Sequence, residues 1–172
     1  MIYYIVTIRW IAQISDLMHM TKFLNTPIRR LEGVAYWVIE DPEAIYDFIN
    51  TEVKKEWEAD ARSEGRDPKK DSWLKTLSKR RWNLTMMATD LIRLNPDTID
   101  IVNSRTGYNF AERLAQRSEQ LQTEIVEFGH VVWPVIVKQQ DMQLVDGYCR
   151  YAALKTMGVS RIYAYVGVIA AH

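Results

Sequence analysis

The sequence predicts an α+β (mixed α/β) fold, one α/β core preceded by a mostly helical segment. Three observations carry this. Residues 82–172 alternate β-prone runs with helical stripes in the order strand, helix, strand, strand, helix, strand. Phe110–Phe128 sets Leu114, Leu121, Ile125 and Phe128 on one side of a long helix, with Gly129 placed to cap it. Leu144–Asp146 runs into Gly147 and then into a helical segment, the pattern of a strand, a tight turn and a helix.

Taken in order, Ile2–Ile8 reads as a strand or the start of a buried helix. Asn25-Thr26-Pro27 favours a turn. Gly33–Glu40 is a short β-prone run, and Asp41-Pro42 then opens a helix to about Arg62, with Asp as cap and Pro in the first turn. Ile45, Phe48, Ile49, Val53 and Trp57 form its apolar stripe, read as packing. Ser63–Pro68 is a loop, after which Asp71 caps a second helix that ends in Lys75, Lys79, Arg80 and Arg81. Trp82–Ala88 reads as a strand, Asn95-Pro96 as the end of the segment after it, and Asn103–Asn109 as a loop. Val131–Lys138 is a strand in which Pro134 marks an edge, a bulge or the start. Gln143–Asp146 is a strand, the helix after Gly147 ends before Gly158, and Ile162–Ile169 is a buried strand. Residues 1–81 are therefore expected as a helical N-terminal extension or lid, and 82–172 as the core.

Composition narrows the function classes. The 172 residues are 48% hydrophobic and 26% charged, which excludes a disordered chain. Twenty-two basic residues balance 22 acidic ones, so no global charge calls for DNA or an anionic membrane. The single cysteine, Cys149, leaves no intramolecular disulfide and points to a reducing compartment. One Cys with three His excludes a Cys-rich structural zinc module. The N-terminal apolar run breaks at Arg9 and Asp16, short of the roughly 18 residues a membrane helix needs. It also lacks the form of a signal peptide, so a cytoplasmic protein is expected.

The informative stretch is Leu144–Leu154. Gly147 permits close backbone approach, and the helix after it begins with N–H groups that have no partner within the helix. Such an N-terminus favours an anion. Arg150 lies in the first turn, where its fork of donors suits a phosphate. Asp146 at the strand end could hold a magnesium ion or accept a proton from a hydroxyl. An ordinary strand–turn–helix with a capping Asp and a surface Arg accounts for the same residues.

Asp146-Gly147-Tyr148-Cys149-Arg150-Tyr151-Ala152-Ala153-Leu154 resembles the signature turn of the ParB/sulfiredoxin superfamily. Further pieces are similar in the same order. Asp90–Pro96 looks like that family's opening strand with its Asn-Pro, Glu124–Gly129 followed by Trp133-Pro134-Val135-Ile136-Val137 like its helix, glycine and Pro-Ile-Val strand, and Ile162–Val166 like its closing strand. The resemblance implies a nucleotide, ATP, ADP or CTP with Mg2+, its phosphates held around Pro134, Gly147, Tyr148, Cys149 and Arg150. Within the superfamily, partition ParB proteins carry a helix-turn-helix domain after this fold. The chain ends at His172, so none is expected. Sulfiredoxins have Gly-Cys-His-Arg, whereas this chain has Gly147-Tyr148-Cys149-Arg150, which argues against their chemistry. The free-serine kinases have Asp-Gly-x-x-Arg, matched by Asp146, Gly147 and Arg150. That branch implies Asp146 at the transferred phosphate and as metal ligand, with Glu112, or Asn109 in its stead, activating a hydroxyl.

The resulting expectation is a ParB-like nucleotide-binding protein with Mg-dependent phosphoryl transfer or nucleotide hydrolysis, a kinase or NTPase. The alternative is a DNA-associated ParB-like protein acting as a nucleotide switch or nuclease. A third option is a member that binds only a partner protein through its Trp-rich half. An oligomer is compatible with each. Lys79, Arg80 and Arg81, with Trp73 and Trp82, could bind nucleic acid by charge and stacking or could simply be a solvated helix end. Cys149 could be a thiol activated by Arg150 and the helix N-terminus, or a small packing residue. His130 after Gly129 complements the helix dipole.

Overall fold

The computed structural model describes residues 26–63, 65, 67–70, 74–104 and 109–169. The expected segment Ile2–Ile8, Asn25, the cap Asp71 and Trp73 lie outside them. The architecture is α+β, as the sequence predicts.

A hairpin opens it: β1 (Ile28–Leu31) pairs antiparallel with β2 (Val34–Trp37). Its turn places Glu32 at φ 48° and Gly33 at φ 85°, the paired positive angles of a tight hairpin loop. Strand β1 is not evident in the sequence, because Arg29 and Arg30 interrupt its β-prone character. Trp37 donates to the Val132 carbonyl at 2.9 Å and Val132 to that of Ala35 at 3.0 Å, so the hairpin is stitched to the chain ahead of the main sheet.

The helix from Pro42 is one rod in three parts: α1 (Pro42–Phe48), a π turn (Ile49–Val53) and α2 (Lys54–Ser63). Asp41 caps it, accepting from the Ala44 N–H at 2.8 Å. At the π turn, Asn50 and Thr51 donate side-chain hydrogen bonds back to the carbonyls of Tyr46 and Asp47. The expected stripe is buried at Ile45, Ile49 and Val53. Helix α3 is short (Leu74–Leu77) and holds only Lys75 of the basic cluster; Lys79 lies in the turn after it, and Arg80 and Arg81 already belong to β3 (Arg80–Ala88). Asp90–Pro96 is not a strand: Thr89–Leu91 is a 3-10 turn, and Arg93 makes an isolated bridge to Gln143. Pro96 does not end a segment but starts α4 (Pro96–Asn103), using its fixed φ at the first helical position.

The remaining elements are α5 (Phe110–Phe128), β4 (Val135–Lys138), β5 (Gln143–Asp146), α6 (Tyr148–Thr156) and β6 (Arg161–Ile169). Asn109 caps α5 and Gly129, at φ 64°, closes it. Phe128, placed by periodicity on the apolar side, is 77% exposed at the C-terminal end of that stripe. Pro134 falls just before β4, at the strand's start, where its missing N–H costs no ladder bond.

The four strands stand in the order β3-β6-β4-β5, with β6 antiparallel to β3 and parallel to β4. Neighbouring residues divide between two hydrophobic clusters. Val137, Leu144 and Val166 join Tyr148, Tyr151 and Leu154 of α6, with Ile125 of α5 and Val34, Tyr36 and Val38 of the hairpin region. Ile136, Val145 and Tyr165 join Ile45, Ile49 and Val53 of the N-terminal rod, with Trp82. Side chains alternate along a strand, so the clusters lie on opposite faces and the sheet is covered on both. No described helix is long and apolar enough to cross a membrane.

Two contacts give stability tests. A Cβ on Gly167 would lie 2.5–2.9 Å from ring atoms of Trp82, which is fully buried across the β3–β6 ladder. Gly167→Ala is expected to lose about 1–3 kcal/mol by overpacking, read as a lower urea midpoint at unchanged slope. Glu32 ties the hairpin to the start of β6, accepting from the Ser160 N–H (2.6 Å), the Ser160 hydroxyl (2.8 Å) and Arg161 Nε (3.0 Å). These donors, the Ser160 hydroxyl first, hold its carboxyl down at about 2. A depressed folded-state value stabilises above the ordinary value of 4.5, and the gain is lost as pH falls towards 2. Glu32→Gln should therefore be less stable than wild type at pH 7, the difference shrinking between pH 5 and pH 2 in urea melts.

Candidate functional site

The site is built where β5 meets α6. Ile136 pairs with Asp146 but Val137 with Leu144, so the β4–β5 register shifts next to the turn. Gly147 follows at φ 90°, ψ 30°, the left-handed region that glycine enters without a side-chain penalty. Its carbonyl accepts the first helical bond, from the Tyr151 N–H at 2.8 Å. Gly147 stands at the N-cap of α6 and has no side chain with which to cap the N–H groups of the first turn.

Arg150 folds back over this glycine. A Cβ on Gly147 would meet its Nε and Nη2 at 2.9 Å each and Val135 Cγ1 at 3.0 Å. The guanidinium donates from Nη2 to Asp146 Oδ2 at 2.5 Å, a charge-assisted bond between side chains 22% and 26% exposed. Arg150 Nε is buried without a hydrogen-bond partner among the described residues. The other Asp146 oxygen, Oδ1, accepts from Trp57 Nε1 of α2 at 3.3 Å. The stripe that includes Trp57 reads as packing from the sequence, yet Trp57 touches the site. Its position as the last, half-buried member of that stripe is the only signal, and it does not name a partner.

The structure thus brings Asp146, Gly147 and Arg150 together, with the buried Pro134 just before β4 and Val135 against the turn. Tyr148 turns its side chain into the core. Its ring lies edge-on to Phe110 with centroids 5.6 Å apart, and its hydroxyl donates to the Leu144 carbonyl at 3.0 Å. Burial raises its pKa, and its backbone N–H lies in the first turn of α6. At Cys149 burial pushes the thiol up, against the opposing pull of Arg117 and Arg150, which favours the packing reading over an activated thiol. Glu112 is exposed in the first turn of α5, and no bond among the described residues joins it to Asp146 or Arg150. Asn109, its stand-in, spends its side-chain oxygen capping α5.

The basic cluster divides. Lys79 and Arg81 are exposed, but Arg80 is 7% exposed. Its Nη1 donates to Gln140 Oε1 at 2.8 Å and to the Gly167 carbonyl at 3.3 Å, and burial lowers its pKa. Trp82, fully buried, offers no stacking surface. An open groove of about 1260 Å³ beside Lys79 and Arg81 also carries Glu43 and Asp47, which oppose a phosphate backbone.

Among the described residues no group of three or more His, Cys, Asp or Glu is disposed to hold a metal. Asp146 has an N–H donor on each oxygen. Among the described residues, those at this turn do not by themselves make up a magnesium site.

No family model matches the chain, and no curated protein matches it. Among solved structures, it is similar to the C2221 form of a Pnob8-like ParB-N domain, at 16% identity and a TM-score of 0.37, covering 51% of this chain and 30% of that one. A second structure of the pNOB8-like ParB N-domain gives 17% identity and a TM-score of 0.36, covering 51% and 28%. The chain spans less than a third of the length of either.

Gly147→Ala joins a positive φ to a collision with Arg150 and Val135. It is expected to cost about 1–3 kcal/mol, measured by chemical denaturation.

Proposed function

We propose that this chain is a ParB-like nucleotide-binding protein whose ligand's phosphates seat on the turn from Gly147 to Arg150. The observation that carries the reading is the guanidinium of Arg150 folded over a left-handed glycine at the uncapped start of α6. A helix N-terminus and an arginine fork both favour an anion, and here they converge on one backbone turn without a Cβ between them. The sequence resemblance of Asp146-Gly147-x-x-Arg150 to the ParB/sulfiredoxin turn supports the same placement. ATP, ADP and CTP are the candidate ligands, and magnesium would arrive with the phosphates.

Phosphoryl transfer or hydrolysis is the finer reading. It rests on positioning and charge neutralisation, for which Asp146 beside the phosphate would be the acceptor or orienting group. Glu112, exposed and unjoined to Asp146, gives this step no support, so binding is the function the geometry supports best. The DNA-associated alternative draws less support, since Arg80 and Trp82 are buried and carboxylates share the groove with Lys79 and Arg81.

Calorimetric titration of ATP, ADP and CTP, with and without magnesium, tests the reading. Micromolar binding of at least one is expected, weakened on the order of tenfold or more in Arg150→Ala, the loss of a charge-assisted contact. Binding unchanged in that variant, or absent for all three nucleotides, would overturn the placement.

A further inference from the structure

We propose that Asp146 is an internal anion that occupies the phosphate clamp, so that a ligand's phosphate binds by displacing a carboxylate from Arg150. The inference rests on the nucleotide reading above and adds a mode of regulation to that site. A guanidinium sees a carboxylate and a phosphate as the same kind of partner, a charged oxygen acceptor within reach of its planar fork. Arg150 already has such a partner. Its Nη2 donates to Asp146 Oδ2 at 2.5 Å, four residues back across the turn. The Arg150 guanidinium closes over Gly147, where a phosphate on the α6 N-terminus would lie.

Two features make the carboxylate displaceable. Asp146 has a second donor, Trp57 Nε1 at 3.3 Å on Oδ1, so leaving Arg150 does not strip it of hydrogen bonds. Both side chains of the pair are about a quarter exposed (22% and 26%), so water can take up the groups that are released. The guanidinium for its part keeps Nε unspent among the described residues, a donor the ion pair does not use. A ligand phosphate thus competes with Asp146 for one cation and is also repelled by its charge. Asp146 sets a threshold: an anion must out-compete a carboxylate already in place, which a di- or triphosphate does better than a single-charged acid. Displacement also reaches α2, because the same carboxylate holds the Trp57 indole.

The test is ATP affinity by calorimetry for wild type, Asp146→Asn, Arg150→Ala and the double variant, at fixed ionic strength. Asn keeps the shape and an acceptor for Trp57 and removes the charge. The expected result is Asp146→Asn binding ATP tighter, on the order of tenfold, as removal of a like charge predicts. The gain should vanish in the double variant. The indole N–H resonance of Trp57, assigned by its loss in Trp57→Phe, should shift when ATP is added to wild type. Binding in wild type that needs Arg150 but is equal or weaker in Asp146→Asn would overturn this inference and leave the nucleotide reading standing. ATP binding that is indifferent to Arg150, or no binding by any variant, would overturn both.

Discussion

The rest of the structure depends on strand β6. It pairs with β3 over nine residues on one side and runs parallel to β4 on the other, so each of its edges is closed by a ladder. Ile162, Ala164 and Val166 feed one core while Tyr165 feeds the other, so neither face meets water through the middle of the strand. A strand in this setting must be apolar throughout, as Ile162–Val166 is. Parallel pairing carries a further consequence. The chain leaving β4 cannot turn straight into β6 but needs a crossover, and here the crossover is β5, Gly147 and α6. The site therefore sits on the connection that the sheet's topology makes obligatory, with the turn pinned by β5 on one side and by α6, packed on the sheet through Tyr151 and Leu154, on the other.

Fixed in that way, the turn concentrates polar groups the cores will not accept. Tyr165 is a polar group that a core does accept: it is fully buried, its hydroxyl accepts from the Ile39 N–H at 3.0 Å, and burial raises its pKa against the pull of that bond and of the Arg150 charge. Asp146 and Arg150 lie at the sheet's edge with a partial view of solvent, where a pair loses less desolvation energy than in a core and gains more than on an open surface. Arg80 makes the contrast. It is buried with neutral acceptors, Gln140 and Gly167, and so it supports the β3–β6 end of the sheet and is not available to a ligand.

Legibility in the sequence tracks the strength of local signals. Phe110–Phe128 and Gln143–Asp146 have clear periods and glycine boundaries, and the structure reproduces both ranges. Helix Pro96–Asn103 reads as an ending because Asn-Pro punctuates a chain in either direction; one proline can stop the element before it and start the element after it. Strand Ile28–Leu31 is hidden by its two arginines, which only the hairpin partner and the positive-φ pair Glu32-Gly33 reconcile with a strand. At the site, Asp146, Gly147 and Arg150 are legible because all three lie in five consecutive residues, where spacing alone sets the geometry. The direction of the Tyr148 side chain is not legible: a turn shows which residues are present but not which way each side chain points, and the edge-on contact with Phe110 decides it.

Trp57 lies beyond that limit in principle. It stands 89 residues from Asp146, and no local pattern encodes a pairing at that distance. Its role comes instead from how the two halves are joined. The N-terminal rod is fixed to one face of the sheet through Ile45, Ile49 and Val53, and that face includes Val145, the residue before Asp146. A π turn within the rod shifts the helical phase just before α2 and so changes the direction in which Trp57 projects. Continuous packing at Val53 and the indole at Trp57 then bring one donor to the strand end from outside the core's own chain segment. The extension is thus part of the site's electrostatics and not merely a cover. Any change in the charge held at Asp146 is felt at once on α6, through Arg150, and on α2, through Trp57.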